Sequence, residues 1–151
     1  MKKLLIFAAI VALFLYLKKY FSFEAFISKI KDFEGFSPVA YWDVNAYRYG
    51  HGTPAPSKDA TIDKIQADLK LREFISNIEN DIDSSLPAPL RYALIDLQFN
   101  SGPLSSKLKV LLKDYQKNLS KIKDYILSIN TSKGVPVASL TKRREYFVSQ
   151  I

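Results

Sequence analysis

The chain has 151 residues, enough for one domain with a hydrophobic core of its own. It contains no cysteine, which excludes disulfide bonds and thiolate chemistry. The net charge of +7 favours an anionic partner such as a cell-wall polymer, a membrane surface or a nucleic acid, although a basic surface without a partner explains it equally well.

The first stretch, residues 4–17, is an uncharged apolar run between Lys2-Lys3 and Lys18-Lys19. As a helix it would be about 21 Å long, which is short for a hydrocarbon core of about 30 Å, but flanking lysine and tyrosine side chains extend its reach. A cleaved signal peptide needs small residues before its cleavage point, and Leu15-Tyr16-Leu17 offers none. The run therefore predicts an uncleaved membrane anchor over residues 1–22, with a cleaved signal peptide or a buried helix as alternatives.

A short amphipathic helix is predicted next, and it ends at an acidic residue. Its apolar stripe has helical spacing and consists of Phe23, Phe26, Ile27, Ile30 and Phe33. Ser22 is the predicted N-cap, and Gly35 is a natural stop directly after Glu34. We expect Glu34 to lie beside aromatic side chains at the negative end of a helix dipole, and both surroundings favour a protonated carboxyl group. A general acid requires such a group near neutral pH.

Residues 38–53 lack a helical repeat, and their composition predicts short strands and turns. Asp43 falls in this stretch, on a different element from Glu34. Two carboxyl groups across a cleft, one protonated and one ionised, form the arrangement that glycosidic cleavage uses. Turn capping by Asp43 and a surface role for Glu34 are the simpler alternatives. His51, the only histidine, is expected to bond a carboxylate from the helical part rather than to act in catalysis or hold a metal.

The remainder of the chain predicts a series of helices. The first of these helices has Thr61 as its predicted N-cap. Its apolar stripe consists of Ile62, Ile65, Leu69, Phe74, Ile75, Ile78 and Ile82. The next begins at Pro87 and Pro89, is apolar enough to be the buried central helix, and ends at Gly102. In the last helix the basic run 142–144 is interpreted as a solvated face rather than a nucleic-acid patch.

Several motifs resemble those of the phage lysozyme (endolysin) family, in the family's order. They are Phe33-Glu34-Gly35-Phe36, Ala40-Tyr41-Trp42-Asp43 and Tyr49-Gly50-His51. The run 90–102 resembles the family helix that ends in a Phe-Asn-x-Gly-like turn, and 140–145 resembles its closing Arg-Arg-x-Glu helix. The likeness covers residues 23–151. It implies an α+β, mostly helical, lysozyme-like fold with a small β-hairpin lobe and a helical lobe, here preceded by an N-terminal transmembrane helix.

The resemblance implies a peptidoglycan-degrading enzyme that cleaves the β-1,4 bond between N-acetylmuramic acid and N-acetylglucosamine without a metal or other cofactor. By this likeness Glu34 is the general acid, and Asp43 assists the attacking water or the developing oxocarbenium charge. The predicted substrate-binding residues are Asn45, Arg48 and Tyr49 in the hairpin and Gln98 and Asn100 in the helical part.

One departure concerns the catalytic threonine that family members place in the hairpin. Ala46 stands there when counted back from Gly50-His51, and Tyr49 when counted forward from Asp43, because the loop is shorter than the family pattern. Neither side chain holds a water as a threonine hydroxyl does. Two further readings follow: a lytic transglycosylase, in which the sugar's own 6-hydroxyl attacks, or a non-catalytic membrane-tethered protein for cell-wall binding or virion assembly.

The predicted anchor over residues 4–17 fits two settings. One is the host inner membrane with the enzyme in the periplasm, and the other is the virion membrane of a membrane-containing phage, beside other virion proteins. The Leu- and Phe-rich composition favours the permanently anchored virion protein. A membrane-tethered nucleic-acid binder is the weaker alternative, and no nucleic-acid partner is expected.

Overall fold

The computed structural model describes residues 11, 13 and 22–151. The chain divides into two compact units, Met1–Asp68 and Leu69–Ile151, and the division falls within helix α2 (Lys64–Glu79). The predicted anchor over residues 4–17 lies outside the described residues except for positions 11 and 13, which are helical. Among the residues that are described, no helix is both long enough and apolar enough to cross a membrane.

The first unit contains a helix and a small antiparallel sheet. Helix α1 covers residues 22–34, so Ser22 is already helical and is not the predicted N-cap. Its inner side chains Phe26, Ile27 and Ile30 are buried, as the apolar stripe predicts. The strands follow in the order β1 (Ser37–Asp43), β2 (Ala46–Gly50) and β3 (Thr53–Pro54).

A two-residue turn sets the register of β1 and β2. Asp43 pairs with Ala46, and Tyr41 pairs with Arg48. Directly paired residues project to the same side of an antiparallel sheet, so Tyr41 and Arg48 share one face. Val44 in the turn has φ +53°, a left-handed conformation that is unusual for a β-branched side chain. This tight turn brings Asp43 to the very end of the hairpin.

The second unit is helical around a buried centre. After α2 come α3 (Ala88–Ser101), α4 (Ser106–Leu112), α5 (Tyr115–Ser128) and α6 (Ala138–Ser149). Residues 92–97 of α3 are all buried, which confirms the predicted central helix. A short hairpin that the sequence did not predict, β4 (Thr131–Ser132) and β5 (Val135–Pro136), precedes α6.

The buried face of α2 differs from the predicted stripe. Ile65 and Leu69 are 76% and 62% exposed, whereas Ala67 is fully buried. Apolar residues occupy more than one face of this helix, so periodicity alone does not decide which face packs. Ala67 packs because Gly50 lies against it so closely that a Cβ on Gly50 would come within 2.9 Å of the alanine Cβ. The cap is Asp63 rather than Thr61, since its Oδ1 accepts from the backbone N–H of Gln66 at 2.8 Å.

Arg143 and Arg144 of the basic run in α6 are buried and only Lys142 is exposed, so the interpretation of the run as a solvated face is wrong. Arg143 Nε and Arg144 Nη1 each donate to one carboxylate oxygen of Asp96 on α3, both at 2.7 Å. Arg144 Nη2 also donates to Asn100 Oδ1 at 2.7 Å and to Ser101 Oγ at 2.9 Å. Burial of the guanidinium group holds the pKa of Arg144 below its ordinary value, and the charge of Asp96 offsets part of this shift. Both arginines therefore join helices within the second unit instead of forming a nucleic-acid surface.

Candidate active site

Glu34 is held at the end of α1, next to the loop that follows β2. Gly35 ends the helix as predicted, with φ +69° and an N–H that donates to the carbonyl oxygen of Lys31 at 2.9 Å. Glu34 is half-buried, and its carboxyl group lies against Gly52. A Cβ on Gly52 would stand 2.5 Å from Glu34 Oε2, and Gly52 has φ +76°, so a side chain at position 52 would strain the backbone and displace the Glu34 carboxyl.

Asp43 and Arg48 form an ion pair on the hairpin. Arg48 Nε lies 3.0 Å from Asp43 Oδ2, and Arg48 Nη1 donates to the carbonyl oxygen of Gly52 at 2.9 Å. The Asp43 side chain is 44% exposed, so the carboxylate remains open to solvent beside its partner. The predicted hairpin residues Asp43 and Arg48 therefore lie together, and Arg48 also reaches the loop that borders Glu34.

The phenol of Tyr41 is influenced by the charges of both acidic residues. Burial raises the pKa of its phenol most, followed by the negative charges of Glu34 and Asp43, while Arg48 lowers it. Contacts of Arg48 relate the two acidic residues, since Arg48 pairs with Asp43 and bonds Gly52, which lies against Glu34. Tyr41 was not predicted as a site residue, although it lies two positions before Asp43 on the same strand and so projects to the same face.

His51 ties the hairpin end to the neighbouring helices. Its ring is buried, its Nδ1 bonds the carbonyl oxygen of Gly35, and its Nε2 lies 3.0 Å from Asp68 Oδ1 on α2. Both partners, a carbonyl oxygen and a carboxylate oxygen, are hydrogen-bond acceptors. Lys31 Nζ donates to the other oxygen of Asp68 at 2.8 Å. The predicted structural bond from His51 to a carboxylate is confirmed. No sequence signal pointed to Asp68 or Lys31.

The other predicted substrate residues have different surroundings. Asn45 is exposed at the hairpin turn. Tyr49 is only 3% exposed and packs with Ile62 and Ala67, so it is a core residue, and this corrects the prediction that it contacts the substrate. It is buried because β2 turns this face toward the start of α2.

Gln98 and Asn100 lie near the end of α3 in the second unit. Gln98 Nε2 donates to Asp81 Oδ2 at 3.1 Å, and the Asn100 side chain accepts the bond from Arg144 described above. Asn100 is exposed, and Gln98 is half-buried.

The first unit thus supplies a half-buried carboxyl group at a helix end, a second carboxylate paired with an arginine, and a phenol on the same strand face as that second carboxylate. Such a set can donate a proton from one carboxyl and stabilise positive charge with the other. Within residues 11, 13 and 22–151, no three histidine, aspartate or glutamate side chains gather as a metal site.

Comparisons with known proteins bear on the family and the fold of the chain. The family model for phage lysozyme matches residues 31–146. The search of curated proteins found no match.

Solved structures share the fold at low sequence identity. The muramidase domain of SpmX from Asticaccaulis excentricus superposes with a TM-score of 0.67 at 20% identity, over 83% of this chain and 93% of that one. The active form of the P1 phage endolysin Lyz gives 0.66 at 16%, over 80% and 79%. The endolysin from Escherichia coli O157:H7 phage FAHEc1 gives 0.59 at 20%, over 83% and 89%. At these identities the likeness shows a lysozyme-like fold.

Proposed function

The chain belongs to the phage lysozyme family, and from this premise we propose that it cleaves the β-1,4 bond between N-acetylmuramic acid and N-acetylglucosamine, with Glu34 as the general acid. Family membership supports a peptidoglycan glycosidase in general. The bond, the acid and the roles of individual residues are our proposal. Asn45, Gln98 and Asn100 are proposed as substrate contacts.

The placement of Glu34 is the observation that carries this proposal. The carboxyl group is half-buried at the C-terminal end of α1, and Gly52 is packed against its Oε2. A carboxyl group in this place supplies the proton-donating side chain that glycosidic cleavage requires. Asp43 is linked to the same loop, since its partner Arg48 donates to the carbonyl oxygen of Gly52.

Cleavage then proceeds by proton transfer. The Glu34 carboxyl donates its proton to the glycosidic oxygen, the bond from C1 to that oxygen breaks, and positive charge develops on the muramic acid ring. Asp43 stabilises this charge. A hydroxyl group then attacks C1 and returns its proton to the Glu34 carboxylate, which restores the acid.

The source of that hydroxyl group distinguishes two products. Attack by water leaves a reducing muramic acid end, whereas attack by the sugar's own 6-hydroxyl leaves a 1,6-anhydro end. Ala46, one of the two positions at which the family threonine would fall, pairs with Asp43, and Asp43 itself is engaged by Arg48. A methyl group cannot hold a water. These two observations favour the lytic transglycosylase as the second candidate function.

The test is peptidoglycan digestion by wild type and Glu34→Gln, followed by mass spectrometry of the fragments. We expect the substitution to lower the rate by about 10²- to 10⁴-fold, the usual contribution of a general acid, with the fold retained. Glu73→Gln, an exposed change on α2, is the matched control and should digest at the wild-type rate. Full activity in Glu34→Gln would remove the mechanism. Intact wall with the wild type would indicate the non-catalytic wall-binding or virion assembly protein.

We also propose that residues 4–17 anchor the enzyme in a membrane, either the virion membrane of a membrane-containing phage or the host inner membrane. The support is the sequence alone: an uncharged apolar run closed at both ends by lysine pairs. The enzyme, residues 23–151, would then act on the wall that lies next to that membrane.

A further inference from the structure

Arg48 makes two contacts that the family resemblance does not explain. Its Nε lies 3.0 Å from Asp43 Oδ2, and its Nη1 donates to the carbonyl oxygen of Gly52 at 2.9 Å. The side chain is 27% exposed, and the hairpin register places it opposite Tyr41. One guanidinium group therefore holds the tip of the hairpin and the loop after β2 at the same time.

The two groups that Arg48 holds border the two acidic residues. Asp43 is one of them. Gly52 is the residue whose backbone lies against Glu34, with no room for even a methyl group between them. A shift of Gly52 would therefore move the surface on which the Glu34 carboxyl rests. A shift of Asp43 would change the second carboxylate directly.

The Asp43 carboxylate needs a partner that fixes it because of its position in the hairpin. It is the last residue of β1, the turn after it has only two residues, and its side chain is 44% exposed. An exposed aspartate at a hairpin tip has several accessible rotamers, so its carboxylate is not fixed by packing. In this shortened hairpin the paired residue Ala46 offers no hydroxyl that could hold it.

We propose that Arg48 is a positioning residue that fixes the Asp43 carboxylate and the Gly52 backbone as one unit and thereby sets the separation between Asp43 and Glu34. This inference rests on the proposed function, in which those two carboxyl groups act on one glycosidic bond. Arginine suits the role because its planar fork donates in two directions at once, while the ammonium group of lysine is a single point of charge.

The kinetic test separates positioning from substrate binding, which was the original prediction for Arg48. We expect Arg48→Ala to lower kcat by about 10- to 100-fold with little change in KM, because a misplaced carboxyl group impairs the chemical step rather than binding. Millimolar guanidinium ion should restore part of kcat in Arg48→Ala, while Glu34→Gln should gain nothing. Lys58→Ala, an exposed change elsewhere in the first unit, is the control for loss of a positive charge and should match wild type.

A rise in KM with kcat unchanged would mean that Arg48 contacts the substrate, and it would overturn the proposal. If Arg48→Ala does not fold, Arg48→Lys decides. It should fold, keep the wild-type KM and still lose kcat, and a wild-type kcat in that variant would overturn the proposal equally.

A structural readout keeps the test independent of activity. In crystals of wild type and Arg48→Ala we expect the separation of the Glu34 and Asp43 carboxyl groups to differ by about 1 Å or more, the scale at which misplacement affects rates. An unchanged separation would overturn the positioning role even if both proteins digest peptidoglycan. If the separation differs between the two crystals but the wild type does not digest peptidoglycan, the positioning role stands and the proposed function is refuted.

Discussion

At position 52 the absence of a side chain has a direct consequence for the proposed acid. Gly52→Ala would place a Cβ 2.5 Å from Glu34 Oε2, and it would force alanine into φ +76°. The left-handed backbone costs about 1–2 kcal/mol of stability. The contact adds a displacement of the Glu34 carboxyl, so we expect peptidoglycan digestion to fall by at least about tenfold. Urea unfolding and initial digestion rates measure the two effects separately.

Gly134→Ala is the matched control for this prediction. Gly134 has φ +79° in the turn between β4 and β5, and a Cβ built there meets nothing within 4 Å. The Gly134→Ala variant should lose the same stability to its left-handed backbone and keep the wild-type digestion rate. Equal rates in the two alanine variants would show that Gly52 does not support Glu34.

Some residues of the site follow from local sequence and others do not. The position of Glu34 follows from an apolar helical stripe and from the glycine directly after it, both of which act within a few residues. The contact between Arg48 and Asp43 depends on hairpin register, which a turn of one more residue would change. Tyr49 was misassigned because an aromatic residue on a strand is equally compatible with a core and with a binding face.

At the scale of elements, Asp68 on α2 joins α1 and the hairpin within the first unit. The hydrogen bond from Lys31 lowers its pKa most, and the bond from His51 adds to this. A pKa below the ordinary 3.8 means that the ionised group stabilises the fold at every pH above that value. The contribution is lost as the pH falls through the lowered folded-state pKa, which lies below 3.8.

Asp68→Asn should therefore be less stable than wild type at pH 7, by about 1 kcal/mol because the side chain is partly exposed and solvent screens the pair. The difference should shrink below pH 4 and vanish in stronger acid. Urea unfolding at pH 7 and pH 3 measures it. Asp59→Asn, at an exposed loop residue, is the control and should match wild type at both values. A difference that does not depend on pH would contradict an electrostatic origin.

A buried cluster of charged side chains connects α3 and α6. Asp96 is 1% exposed and accepts hydrogen bonds from Arg143 and Arg144, both of which are also buried. Removing one side of a buried ion pair leaves the other uncompensated, at a cost of about 3–5 kcal/mol. Asp96→Asn should lose that amount in urea unfolding, whereas Asp124→Asn on the exposed face of α5 should lose almost nothing. A loss below about 1 kcal/mol would mean that the cluster is not desolvated in solution.

This cluster also shows why charge patterns mislead. The basic run was interpreted as solvated because charged residues on a helix usually face water. Its partner Asp96 is 47 residues earlier in the chain, inside an apolar helix, and periodicity cannot connect the two. The α3 helix itself was predicted correctly because its apolar residues recur at helical spacing and its ends carry proline and glycine.

At the scale of the whole molecule, charge and apolarity give different kinds of membrane attachment. Four lysines flank residues 4–17, and the net charge is +7. A protein held by charge alone leaves an anionic membrane when salt shortens the Debye length from about 8 Å to about 3 Å. A protein held by an inserted apolar run stays, since salt does not weaken apolar burial.

We therefore expect the full chain to remain in the membrane pellet in 1 M salt and in alkaline carbonate, and to be released only by detergent. Ile10→Lys places a charge in the middle of the run, which costs about 2.5–3.5 kcal/mol, and should shift protein to the supernatant. Lys58→Glu changes the net charge more and should leave the protein in the pellet, because its position lies outside the run. Release of the wild type by salt, or a mature N-terminus beyond residue 17 in mass spectrometry, would replace the anchor with electrostatic adhesion or a cleaved signal peptide.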